Sequence, residues 1–295
     1  MRNNLLFLLI SGTLLYGCGG GQTGEETSTD LTQFKTDSNK ATALQVGGVV
    51  FCIPSPFQTA YLIKEVGSNY KKEMLNGSDK INSYSTNYAK GLNLGIYGAD
   101  LGYTTIYEMP QDGINYLTVV RSLADELGVS DAFSKETIER ITRNLGTKDS
   151  LLPLVSVCYR SADEYLKNND ASDLASLVIT GGWIESMYFV TEIAAVTKNK
   201  KIINRIGGQK QTLDNIIKLL GPFSNQPEFT ELIDMLVDLY SSFDGVETQY
   251  TFVPPSDFPE KNKTKVNSTS DVKMSDEQLT VISQKIQSLR NLIVG

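Results

Sequence analysis

The sequence predicts an all-α protein, an antiparallel multi-helix array or bundle behind a disordered N-terminal tether, and three observations carry that expectation. From Pro54 onward apolar residues recur at spacings of three and four almost to the C-terminus, the period of a helix with one buried face. Pro and Gly punctuate this pattern at intervals that suit short helix–helix connections, and no stretch alternates apolar and polar residues well enough to build a sheet. Residues 19–45, by contrast, are rich in Gly, Thr and acids with few apolar side chains. Such a segment cannot bury enough surface to offset its ordering entropy.

The chain opens with MRNNLLFLLISGTLLYGC. Arg2 precedes an apolar run from Leu5 to Leu15, too short for a spanning helix of ~20 residues. The run ends at Leu15-Tyr16-Gly17-Cys18, which resembles the bacterial lipobox, with Tyr16 bulkier than the residue usual there. The resemblance implies cleavage before Cys18 and lipidation of Cys18, so residues 1–17 read as a lipoprotein signal peptide and 18–45 as a flexible tether. Two or more acyl chains hold a protein stably at a membrane where one does not. Gly19 follows Cys18 with no Asp beside it, which by analogy with sorting rules favours the outer over the inner membrane.

Residues 46–295 form the helical domain. Val46–Ile53 reads as an extended apolar strap, and Pro54 and Pro56 open the first helix. A long helix is expected from about Ser83 to Glu108, broken by Pro110, and another from Asp112 to Leu127, closed by Gly128. Further helices are expected over Ser134–Leu145, over Leu151–Asn168, from Ser172 or Asp173 to about Thr197, over Lys201–Leu220, and over Glu228–Phe243. After a turn, a short extended piece and a polar loop, Ser275 caps a last helix ending near Val294. The segments 92–108 and 175–192 share a texture of apolar residues, paired small residues, one acid and following aromatics. Over about 83–110 and 172–197 this reads either as a weak internal repeat or as two independent core helices.

Composition narrows the chemistry. The chain has 40% hydrophobic residues, a net charge of −7 and no His. An acidic body without a basic cluster speaks against nucleic acid and against an electrostatic grip of the body as a whole on anionic lipid. Without His there is no Ser-His or Cys-His pair and no His metal ligand, and no cofactor or metal motif is present. Cys52 and Cys158 could pair in an exported protein, or serve as small buried apolar residues.

Gly91, Gly95, Gly98 and Gly102 lie at alternating spacings of four and three, one seam along a helix. Each Gly costs ~1 kcal/mol of helix propensity relative to Ala. The compensation is close approach of a neighbouring helix, or a groove for a ligand or peptide. Asp100 and Glu185 sit in otherwise apolar helices, where a buried acid must be paired. Tyr103, Tyr188 and their neighbours offer phenols, and Arg160 and Lys64 offer cations. If the two helices face each other the acids form a carboxylate pair, the equipment of a glycan hydrolase. Trp183 and the tyrosines read equally as core or as a stacking surface.

The stretches SPFQTAYLIKEVG, LNLGIYGADLGYTTIYE and GGWIESMYF resemble a group of uncharacterised exported helical lipoproteins of Bacteroidota. The resemblance implies a Gram-negative cell envelope and brings no activity or catalytic residues with it. The expectation is a membrane-anchored envelope lipoprotein acting as a non-enzymatic binding or scaffold module for a protein or cell-wall partner. A carboxylate glycan hydrolase using Asp100 and Glu185, and a helical carrier of a small apolar ligand, are the alternatives.

Overall fold

The computed structural model describes residues 56–130 and 172–295, the backbone of 42–46 and 49–53, and the positions 139, 140 and 143. Cys18, most of the tether, Cys158, Arg160 and the expected helix over Leu151–Asn168 lie outside the described residues. So does most of Ser134–Leu145.

An antiparallel hairpin comes first, β1 (Thr42–Val46) and β2 (Val49–Ile53), pairing Thr42 with Ile53 and Val46 with Val49. Val49–Ile53 is extended, as read, and it pairs with a strand that begins at Thr42. TALQV is too short for its alternation to stand out in sequence.

The helices follow. α1 is Pro56–Glu65, with Pro56 in its first turn; two 3-10 turns, Lys72–Met74 and Ser78–Ser83, lead to α2, Asn87–Ile106. Thr86 caps α2 by accepting from Ala89 N at 3.1 Å, so the helix starts later than Ser83. α3 is Pro110–Glu126, followed by Gly128 at φ +71°. α4 is Ser172–Thr197, as read.

The single helix expected over Lys201–Leu220 is two, α5 (Lys200–Gly207) and α6 (Lys210–Leu220). The pair Gly207-Gly208 breaks it, and a Cβ on Gly207 would collide with Val272. α7 is Pro227–Ser241. The stretch read as a turn, a short extended piece and a polar loop is an arm of two antiparallel ladders, β3 (Glu247–Thr251) with β6 (Thr269–Lys273) and β4 (Ser256–Phe258) with β5 (Lys263–Lys265), more extended than expected. α8, Asp276–Val294, opens with a full capping box between Ser275 and Gln278, each satisfying the other's free N–H.

The array is all-α apart from these short ladders. α2 and α3 run antiparallel, as do α4 and α8: Lys90 of α2 meets Glu126 of α3 at 2.8 Å, and Lys198 at the end of α4 lies 3.6 Å from Asp276 at the start of α8. The central and most extensive pair, α2 with α4, runs parallel. Gly91 lies against Leu174, Gly95 against Val178 and Gly182, and Tyr103 against Phe189. The two segments of shared texture therefore lie side by side in register.

The glycine seam makes this pair possible. A Cβ on Gly95 would fall 2.7 Å from Gly182 N and closer still to Val178 O; one on Gly181 would strike Leu92 O. Backbone cannot yield to a methyl group. Further along, Gly102 turns from α4 to α1, where the Phe57 ring lies 3.3 Å from its would-be Cβ, and Gly98 is buried between. The seam is filled by helix packing. α4 has the length and apolarity of a spanning helix, but 78% of its most apolar stretch is buried in the body.

Candidate functional site

The parallel register of α2 and α4 brings Asp100 and Glu185 together at the centre of the core, both with 0% exposure. Arg290 reaches them from α8. Its Nε donates to Glu185 Oε2 at 2.6 Å and its Nη2 to Oε1 at 2.8 Å, a bidentate pair, and Nη2 also donates to Met74 O at 3.1 Å. The guanidinium lies 4.2 Å from the centre of the Tyr188 ring, a cation–π contact. On Asp100, Oδ2 accepts from Asn76 N at 3.3 Å.

One guanidinium faces two carboxyls, so a neutral cluster requires one proton. Burial pushes the Asp100 carboxyl well above the usual carboxylate range, the charge of Glu185 pushes further, and Arg290 pulls back. Burial also raises Glu185, opposed by the charge and hydrogen bonds of Arg290. Burial works against the charge on Arg290, and Glu185 overcomes it. Asp100 Oδ1 has no partner as a carboxylate oxygen. A proton on Asp100 would give that oxygen a partner in Glu185, the acid beside it. Burial and charge balance favour a proton on Asp100 beside the Glu185 carboxylate and the Arg290 guanidinium.

The groups around it belong to a loop threaded through the core. Residues 74–76 are buried, and a buried backbone must find partners. Met74 O takes Arg290, Asn76 N takes Asp100, Asn76 O accepts from Tyr116 OH at 2.8 Å, and Gly77 O accepts from Tyr97 OH at 2.7 Å. The Asn76 side chain donates to Tyr84 OH at 3.0 Å, and Asn93 donates to Ile293 O of α8 at 3.0 Å.

The other expected residues are core. Trp183 is buried and donates to Gln209 Oε1 at 3.2 Å. Tyr103 is buried, its OH accepts from Lys71 N at 3.1 Å, and its ring stacks on Tyr70 at 5.5 Å. Of the cations expected to reach the acids, Lys64 instead binds Ile106 O at 2.7 Å and Glu108 at 3.0 Å. No phenol bonds to Asp100 or Glu185 within the described residues; Tyr70 donates to Asp112 at 2.7 Å. Sequence reasoning missed Arg290, Asn76 and Asn93. Arg290 carries a signal in retrospect: it falls on the buried stripe Ile282, Ile286, Leu289, Ile293 of α8, where a cation needs a buried acid.

The arrangement is poorly made for glycan hydrolysis. Both acids are sealed in the core, with no opening for the sugar that sits between catalytic acids held roughly 5–9.5 Å apart. Both oxygens of Glu185 are held by Arg290, and no solvent reaches either acid. A groove of about 390 Å³ opens where the N-termini of α2, α4 and α7 meet, with Tyr88, Leu177 and Phe229 in its walls and Asp173 and Glu228 among its lining residues. Its lining includes neither Asp100 nor Glu185. Among the described residues no three acids or thiols gather to hold a metal. No family model, curated protein or solved structure matches the chain.

Proposed function

We propose that the protein is an envelope lipoprotein, anchored at the outer membrane through lipid on Cys18, whose helical body is a non-enzymatic binding or scaffold module for a protein or cell-wall partner. The observation that carries the non-enzymatic half is the sealed, charge-balanced state of the Asp100–Glu185–Arg290 cluster. Its hydrogen bonds are spent on a buried loop and on joining α2, α4 and α8, which is the work of a structural tie. The lipobox-like sequence and the polar tether support the anchored half. Lipid is then the main source of membrane attachment for an acidic body.

Two experiments test the reading. Cys18→Ser should move the protein from the membrane to the soluble fraction; retention of the variant in full would contradict the anchor. Cross-linking in native membranes should capture a reproducible partner, and capture should survive Glu185→Gln in any variant that remains folded. Hydrolysis of purified cell-wall glycan by the wild type, abolished in Glu185→Gln, would replace this reading with the hydrolase.

A further inference from the structure

Between α7 and α8 the chain leaves the helical body as the arm of residues 247–273. Its base is fixed. Asn204 of α5 accepts from Val272 N at 3.0 Å and donates to Asp271 at 3.1 Å, and Val272 fills the space over Gly207. Beyond this base the arm stands in solvent. Across 247–260 and 262–266 every residue except Ser256 is exposed. Yet its side chains include Tyr250 at 62% exposure, Phe252 at 67% and Val266 at 75%, with Val253 and Phe258 at 40% each. A lone two-stranded ladder is marginal in water, and this one holds its large apolar residues outward.

The chemistry of the outer ladder points to what meets it. Phe258 pairs with Lys263 and Ser256 with Lys265, so ring and ammonium groups share one face with no acid on it. Near the base the acids are matched: Glu247 pairs with Lys273, and Asp271 is 3.1 Å from Lys200. Lys is depleted from the centres of protein–protein interfaces. Aromatic rings beside long ammonium stems are the chemistry of a bilayer surface, where rings enter the headgroup layer and lysines extend to the phosphates.

We propose that this arm touches the bilayer, its tip inserting Phe258 and neighbouring apolar side chains into the headgroup layer while Lys263 and Lys265 meet anionic phosphates. The proposal rests on the anchored reading above, in which lipid on Cys18 keeps the body within reach of the surface. It gives the tethered body a preferred face toward the membrane.

The test uses fluorescence depth. The wild type has one Trp, Trp183, buried in the core, which serves as an internal baseline. Full-length Phe258→Trp is placed on vesicles of phosphatidylethanolamine and phosphatidylglycerol with brominated acyl chains. The introduced indole should shift to the blue and lose at least half its emission relative to non-brominated vesicles, while wild-type emission is unchanged. Adding Phe252→Ser and Tyr250→Ser, both at exposed positions, should weaken the quenching at least twofold. An indole that keeps its water-exposed emission and is unquenched at excess lipid overturns the proposal, as does cross-linking of position 258 mainly to a protein. Fractionation of Cys18→Ser reports separately on the anchor: quenching of Cys18→Ser/Phe258→Trp at excess lipid supports the arm even where the anchor fails.

Discussion

The centre of the helical body and the arm of residues 247–273 solve opposite problems. In the centre, polar groups are buried: Asp100, Glu185, Asn93 and Asn76 are 2% exposed or less, and hydrogen bonds and one guanidinium compensate them. In the arm, apolar groups are exposed, and nothing in the described body covers Tyr250 or Phe252. Burying a polar group is tolerated only when its partners are all present, so the centre is unforgiving of substitution. Exposing an apolar group costs little in the free protein and matters when something binds. The contrast separates residues that hold the fold from residues available for contact.

Substitutions can break or sharpen that contrast. The largest effect is expected at Arg290. Arg290→Met leaves Glu185 charged and unpaired in the core, which costs about 3–5 kcal/mol and should show as a large drop in the urea midpoint. Adding Glu185→Gln should recover much of the loss, because no buried charge then remains. Equal destabilisation of the single and double variants would mean that Arg290 acts through its bulk alone.

Next comes the glycine seam. Gly95→Ala sets a methyl group against the backbone of Val178 and Gly182 and should cost about 3 kcal/mol, the upper end for overpacking. Gly102→Ala meets only the Phe57 ring at 3.3 Å, which can tilt, and should cost about 1 kcal/mol. Similar costs at both positions, measured by urea unfolding, would undermine the close α2–α4 approach. The smallest effect belongs to the arm: Tyr250→Ser should change stability by no more than about 0.5 kcal/mol, and a loss near that of Gly95→Ala would show that the arm is part of the core.

Much of the centre was legible in the sequence and much of the arm was not. Four glycines on one helical face carry a propensity cost that only close packing or a ligand repays, so the seam was visible, though its partner was not. Two acids in apolar helices announced a buried polar site. Their cation was hidden because Arg290 lies 105 residues from Glu185, in a helix rich in polar residues. Asn76 was hidden because a loop through the core has no periodic pattern. The break at Gly207-Gly208 was obscured by the good helical period on both sides, and the close approach that requires glycine at 207 comes from Val272 on a distant strand. The arm's strands are three to five residues long and bury neither face, so the alternation that marks a half-buried strand is absent.

The central claim is that the core acids form a structural tie containing a bound proton, and Asp100→Asn tests it most directly. Because the folded carboxyl titrates well above its ordinary 3.8, folding takes up a proton. The contribution of Asp100 is fully present below the unfolded value. It is lost as pH rises, at about 1.4 kcal/mol per pH unit until the folded carboxyl ionises. An amide keeps a donor for Glu185 and an acceptor for Asn76 and has no such slope. Urea unfolding of both proteins between pH 5 and pH 9 should find Asp100→Asn at least as stable as the wild type at pH 7, with an advantage that widens as pH rises. A variant less stable by 2 kcal/mol or more across that range, with the same pH dependence as the wild type, would mean that Asp100 is ionised in the fold and would contradict the account.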